Sequence, residues 1–113
     1  MVKMIKNLYT YRGIVENVVD GDTFDIIVDL GFGIKVKQRF RLARVDTPEV
    51  RGEERPEGLK VKYIVENLLL GKTVLLKSEK QGSFGRYLAE IWIDDTNLSD
   101  YLLTEDLAKI YEK

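Results

Sequence analysis

Asp20-Gly21-Asp22-Thr23 separates two runs rich in β-branched and aromatic residues, Tyr9 to Val19 and Phe24 to Leu30. Aspartate and glycine between such runs form a tight hairpin turn: glycine supplies positive φ, and aspartate bonds its own backbone. In the second run Phe24, Ile26 and Val28 share one face of a strand. Gly31-Phe32-Gly33 reads as the next turn and Ile34 to Val45 as a third strand. There Lys35, Lys37, Arg39 and Arg41 alternate with Val36, Gln38, Phe40 and Leu42. That period of two puts the four cations on one face, directing Phe40 and Leu42 inward and Arg41 outward.

Beyond this meander, Pro56 and Gly58 punctuate a charged loop (Arg51, Glu53, Glu54, Arg55) whose length and charge suggest mobility. Val61, Ile64, Val65, Leu68 and Leu69 then recur at helical spacing, and Gly71 supplies a stop. This helix is expected to cover one end of the sheet. Thr73 to Lys77 and Tyr87 to Ile93 read as two more strands, and Asn97 as the cap of a last helix running to about Asp106. Five strands and two helices in this order predict a mainly β (α+β) fold, a five-stranded OB-fold Greek-key barrel with two helices. At 113 residues the chain is expected to form a single domain, 1–113.

With 44% hydrophobic and 33% charged residues the sequence is neither disordered nor membrane-spanning, since no apolar run approaches the roughly 20 residues a bilayer needs. Zero cysteines exclude disulfides and thiolate zinc sites. No export signal is visible at Met1-Val2-Lys3-Met4, which favours the cytoplasm unless the chain is a mature form. Zero histidines remove the usual general base and the commonest transition-metal ligand. Chemistry must therefore run on carboxylates, guanidinium and ammonium groups, or metal-bound water. A net charge of −1 argues against gripping nucleic acid by bulk positive potential. The charge is nevertheless uneven: residues 1 to 45 carry eight basic and five acidic side chains, residues 46 to 113 ten and fourteen.

Two acidic turns, Asp20-Gly21-Asp22-Thr23 and Asp46-Thr47-Pro48-Glu49, bracket the basic strand. Oxygen ligands suit a hard cation and an arginine fork suits phosphate oxygens, so the pattern reads as a candidate nuclease. Each motif alone has a structural reading that is preferred in isolation: a hairpin turn, a proline stop, a solvated sheet face, ordinary surface arginines. Their joint occurrence shifts the weight.

Asp20-Gly21-Asp22-Thr23, Phe40-Arg41-Leu42, Val45-Asp46-Thr47-Pro48-Glu49, Phe84-Gly85-Arg86 and Leu107-Ala108-Lys109 together resemble the staphylococcal nuclease (thermonuclease-like) family over roughly residues 12 to 110. The resemblance implies a thermonuclease-like OB-fold domain that hydrolyses phosphodiester bonds of DNA and RNA with Ca2+ as cofactor. It assigns Asp22, Asp46 and the Thr47 carbonyl to the metal. Glu49 would hold the attacking water, as base or as orienting group, and Arg41 and Arg86 would bind the scissile phosphate. Lys35, Lys37 and Arg39 are expected to contact substrate, as are Ser83 and Phe84, which stand where the family's best-known member has a lysine and a tyrosine. The expected partner is DNA or RNA, single-stranded or locally opened, with no membrane involved. A monomer is expected, with a homodimer as the alternative because the family's third helix has no counterpart here. The runner-up reading is a non-catalytic OB-fold module that binds single-stranded nucleic acid or protein.

Overall fold

The computed structural model describes residues 8–79 and 87–111. Strands β1 (Thr10–Asp20), β2 (Thr23–Gly31) and β3 (Ile34–Leu42) form the expected antiparallel meander. β4 (Val45–Asp46) follows, then a 3-10 turn at Gly52–Glu54 and helix α1 (Arg55–Leu69). β5 (Thr73–Glu79), β6 (Tyr87–Ile93), β7 (Thr96–Asn97), helix α2 (Leu98–Thr104) and β8 (Lys109–Ile110) complete the order.

The sheet runs β3-β2-β1-β5-β6, and parallel pairing of Phe40, Arg41 and Leu42 with Tyr87, Leu88 and Ala89 joins its two ends. A five-stranded barrel with two helices results, as the strand pattern predicts. Closure demands curvature, and β1 supplies it with register shifts between Val15 and Asn17 and between Val18 and Asp20. Val15, Val18, Phe24, Ile26, Phe40, Leu42, Leu76 and Ile91 point into the barrel and are buried. Val61, Val65 and Leu69 of α1 and Leu98 and Leu102 of α2 extend the same core. Each such side chain contributes about 1.5–3 kcal/mol by leaving water.

Three boundaries and one turn differ from the sequence expectation. Pro56 and Gly58 do not punctuate a loop; they lie in the first turn of α1. Proline is accommodated there because the first helical amides have no partner to lose. A Cβ on Gly58 would collide with the Glu49 carbonyl, so glycine serves close packing. The third strand ends at Leu42, because Arg44 turns left-handed at φ 72° and breaks it before Val45. The last helix stops at Thr104. Asp106, at φ 58°, and Leu107 donate amides to the carbonyls of Leu103 and Leu102 (3.2 and 2.8 Å), which closes the helix end. Finally, Gly21 has no positive φ. Its Cβ would lie 2.7 Å from Val61 Cγ1 and 2.9 Å from Thr47 Oγ1, so lack of space requires glycine.

Candidate active site: an acidic cleft around Arg41

The β1–β2 turn and the segment after β3 meet at one side of the barrel, where Gly21 lets Thr47 approach. Between them opens a cleft of about 330 Å3 that Asp20, Asp22, Arg41, Asp46, Thr47, Glu49, Arg51 and Tyr111 help to line. Asp22 is buried; its Oδ2 accepts the Thr47 amide at 3.0 Å and its Oδ1 the Thr23 hydroxyl at 3.0 Å. Arg41 sits beside it, directed away from Phe40 and Leu42 and largely buried in the cleft wall instead of projecting into solvent. Its Nη2 donates to Asp46 Oδ1 at 2.9 Å and to Asp22 Oδ2 at 3.4 Å. Glu49 is exposed, its amide donating to Glu54 Oε1 at 3.3 Å.

The electrostatics are strained. Burial, and then the adjacent Asp22, push the Asp20 carboxyl up to about 6. For Asp22, burial acts to raise its pKa, but hydrogen bonding with Asp20, the Thr47 amide and the charge of Arg41 prevail and lower it. Among the described residues Thr47 Oγ1 is buried without a hydrogen-bond partner. The carboxylates of Asp22 and Asp46 beside one guanidinium at an open cleft are oxygen donors of the kind a hard cation takes.

The structure thus brings Asp22, Arg41, Asp46, Thr47 and Glu49 together. Lys35, Lys37 and Arg39 lie on the same strand face but do not line the cleft. Lys37 pairs with Glu16 (2.6 Å), Arg39 grips Asp25 through two nitrogens (2.8 and 3.1 Å), and Lys35 stands opposite Asp29 in the ladder. Ser83, Phe84 and Arg86 lie outside the described residues.

Asp20, Arg51 and Tyr111 also line the cleft, although the sequence reading assigned none of the three a role there. Asp20 is visible in the sequence as the first acid of the Asp-Gly-Asp turn. Tyr111 is not, because it arrives through β8, a two-residue strand pairing Ile110 with Val45 and Lys109 with Asp46. Its ring centroid lies 4.5 Å from the Arg41 guanidinium carbon, a cation–π contact at the cleft wall.

The family model of staphylococcal nuclease homologues matches residues 39–113, which contain the end of β3 (Arg39–Leu42), the Asp46–Glu49 segment and β8. The chain belongs to this family. Thermonuclease of Staphylococcus hyicus is 33% identical over a match covering 91% of this chain and 60% of that protein. An uncharacterized protein of Methanocaldococcus jannaschii is 30% identical, with 89% and 59% covered, and Protein ParB of Escherichia coli 30%, with 74% and 42%. The chain spans about half the length of the curated relatives it matches. Membership fixes a nuclease family and accounts for the barrel; the staphylococcal nuclease homologue described here carries its acidic cleft where β1–β2, β4 and β8 converge.

Proposed function

We propose that this protein is a calcium-dependent nuclease that hydrolyses phosphodiester bonds of DNA or RNA, with single-stranded or locally opened substrate favoured. The carrying observation is the convergence of the Asp22 and Asp46 carboxylates on one nitrogen of Arg41 in an open cleft that Glu49 also lines. The donor set fits a hard cation. Asp22 and Asp46 would hold calcium together with the Thr47 carbonyl, all oxygen donors. Among the described residues no group of three or more carboxylate, imidazole or thiol side chains stands ready for a metal. The remaining positions of an ion that takes about six to eight ligands therefore fall to water and phosphate oxygens. When bound, the ion would neutralise charge on the phosphate as a Lewis acid.

The protein's own groups do the rest. Arg41 donates to phosphate oxygens through the guanidinium N–H groups that Asp22 and Asp46 leave unused, and Arg86, by its place in the Phe84-Gly85-Arg86 motif, supplies a second guanidinium. Charge grows on these oxygens toward the transition state, so both guanidinium groups bind that state more tightly than the substrate. Glu49, free at the rim, accepts a hydrogen bond from the attacking water and aims it. The water oxygen bonds to phosphorus as the phosphorus–sugar-oxygen bond breaks, one water proton moving to Glu49 while the departing sugar oxygen takes a proton from solvent to leave as an alcohol. Ion pairing of Lys37 and Arg39 with Glu16 and Asp25 uses up the charge on which a purely electrostatic binding module would depend.

Single-stranded DNA with calcium, with chelator, and with the Arg86→Ala protein provides the test. Cleavage in the first condition and its loss in the other two are expected. Cutting in chelator, or undiminished cutting by Arg86→Ala, would overturn the assignment.

A further inference from the structure

Arg44 stands three residues after Arg41, outside the cleft, in a conformation that disfavours any side chain but glycine's (φ 72°). Its own side chain holds the turn in place. Arg44 Nε donates to Glu90 Oε2 (2.5 Å) and Nη2 to Glu90 Oε1 (3.1 Å), a bidentate pair on a carboxylate that is only 12% exposed. Nη2 also reaches Asn97 Oδ1 and Asp100 Oδ1, each at 3.1 Å. Asn97 in turn caps α2 by accepting the Asp100 amide (3.0 Å) and donates to Glu90 (3.1 Å).

The backbone of the turn is tied down as firmly. The Ala43 carbonyl accepts the buried Ser99 hydroxyl (2.8 Å), and the Arg44 carbonyl accepts the Tyr111 amide (2.9 Å). Thus one turn is bolted to β6, to the start of α2 and to the residue following β8. Immediately after it come Val45, fully buried, and then Asp46 and Thr47. Tyr111, which covers Arg41, hangs from the same Arg44 carbonyl.

We infer that Arg44 is a positioning residue that fixes Asp46, Thr47 and Tyr111 in the cleft through its bidentate pair with Glu90. The inference rests on the calcium reading of the cleft for its functional meaning. Lysine retains the charge at position 44 but lacks the planar fork, and Glu90→Gln keeps the shape but loses the carboxylate. Partners one step behind a metal ligand typically govern affinity by about 10- to 100-fold.

Two measurements on the whole chain test it: calorimetric calcium titration, and amide hydrogen exchange at Thr47 and Tyr111 in chelator, with Asp46→Asn as reference. Arg44→Lys and Glu90→Gln are each expected to weaken calcium binding about tenfold, the double variant no more than either single one. Both are expected to speed exchange at Thr47, whose amide is bonded to Asp22, and at Tyr111. A lowered melting temperature with calcium affinity and Thr47 exchange unchanged would make the cluster merely structural and overturn the inference. If wild type and Asp46→Asn bind calcium alike, the calcium reading itself fails. Thr47 exchange then decides alone: accelerated exchange in Arg44→Lys sustains the positioning role, and unaltered exchange removes it.

Discussion

Arg41 and Arg44 lie one turn of chain apart, and each is surrounded by carboxylates, yet they are satisfied in opposite ways. Arg44 meets Glu90 with two nitrogens in fork geometry and finds two further acceptors. Arg41 reaches both of its carboxylates through Nη2 alone, one of them at a stretched 3.4 Å, beside an orphaned threonine hydroxyl and an aspartate with a raised pKa. A saturated network stabilises a position, whereas an unsaturated one in an open cleft retains capacity for a ligand. The pair therefore separates scaffold from chemistry without reference to any relative.

The sharpest way to break this contrast is kinetic. Glu49→Ala is expected to lower kcat by on the order of 10² to 10³ with little change in melting temperature, and Arg41→Ala to lose as much turnover but also stability, because the buried Asp22 carboxylate is left without its cation. Arg44→Ala is expected to lose stability before turnover. Steady-state kinetics and thermal melts of the three variants decide it; equal kinetic losses at positions 41 and 44 would erase the distinction.

Next in size is the metal. Asp22→Asn with Asp46→Asn is expected to weaken calcium binding by roughly 10-fold or more while the barrel persists, because charge leaves a site built around it. Calorimetric titration with circular dichroism checks both halves of the statement.

The fold was largely legible in the sequence, since strands of period two and a helix of period 3.6 carry their own burial pattern. What escaped lies where no period can form. β4 and β8 are two residues each, and their pairing depends on a left-handed Arg44 that no propensity suggests. Pro56 and Gly58 misled because both break helices in the interior, whereas here they occupy its first turn and a close approach to Glu49. Asp22, Asp46 and Glu49 stood out through two acidic turns and took their roles from the family resemblance; the structure brings all three to one cleft. Tyr111 did not stand out, because an aromatic after a charged strand has many uses. Residues 83, 84 and 86, also singled out by motif, fall outside the described segment.

A smaller effect concerns Asp20. Its folded pKa of about 6 lies above the ordinary aspartate value of 3.8, so the folded state binds more protons between those values and loses stability as pH rises through them. Asp22, shifted down, works in the opposite sense and loses its contribution as pH falls. In chelator, Asp20→Asn is therefore expected to stabilise the protein at pH 7 by about 1 kcal/mol after discounting for solvent screening, and hardly at all near pH 4. Thermal melts at the two pH values test the sign; a gain that is larger at pH 4 would reverse it.

The smallest expected effect compares two left-handed residues. Glycine at position 106 relieves backbone strain at a helix end and is expected to stabilise by about 0.5–1 kcal/mol. Glycine at position 44 relieves the same strain but destabilises, because the fork to Glu90 disappears. Urea unfolding of Asp106→Gly and Arg44→Gly measures both, and a gain at position 44 would show that the clamp contributes nothing.

The pairing of β4 with β8 also bears on when activity can arise. Asp46 is registered against Lys109, and Tyr111 reaches back to Arg44 and Arg41. During synthesis the barrel strands leave the ribosome well before residues 109–111 do, and local units fold as they emerge. The carboxylates are thus in hand early, while the arrangement that holds them waits for residues 109–111. A nascent chain threaded among ribosomal RNA would carry an incomplete cleft until residues 109–111 clear the exit tunnel.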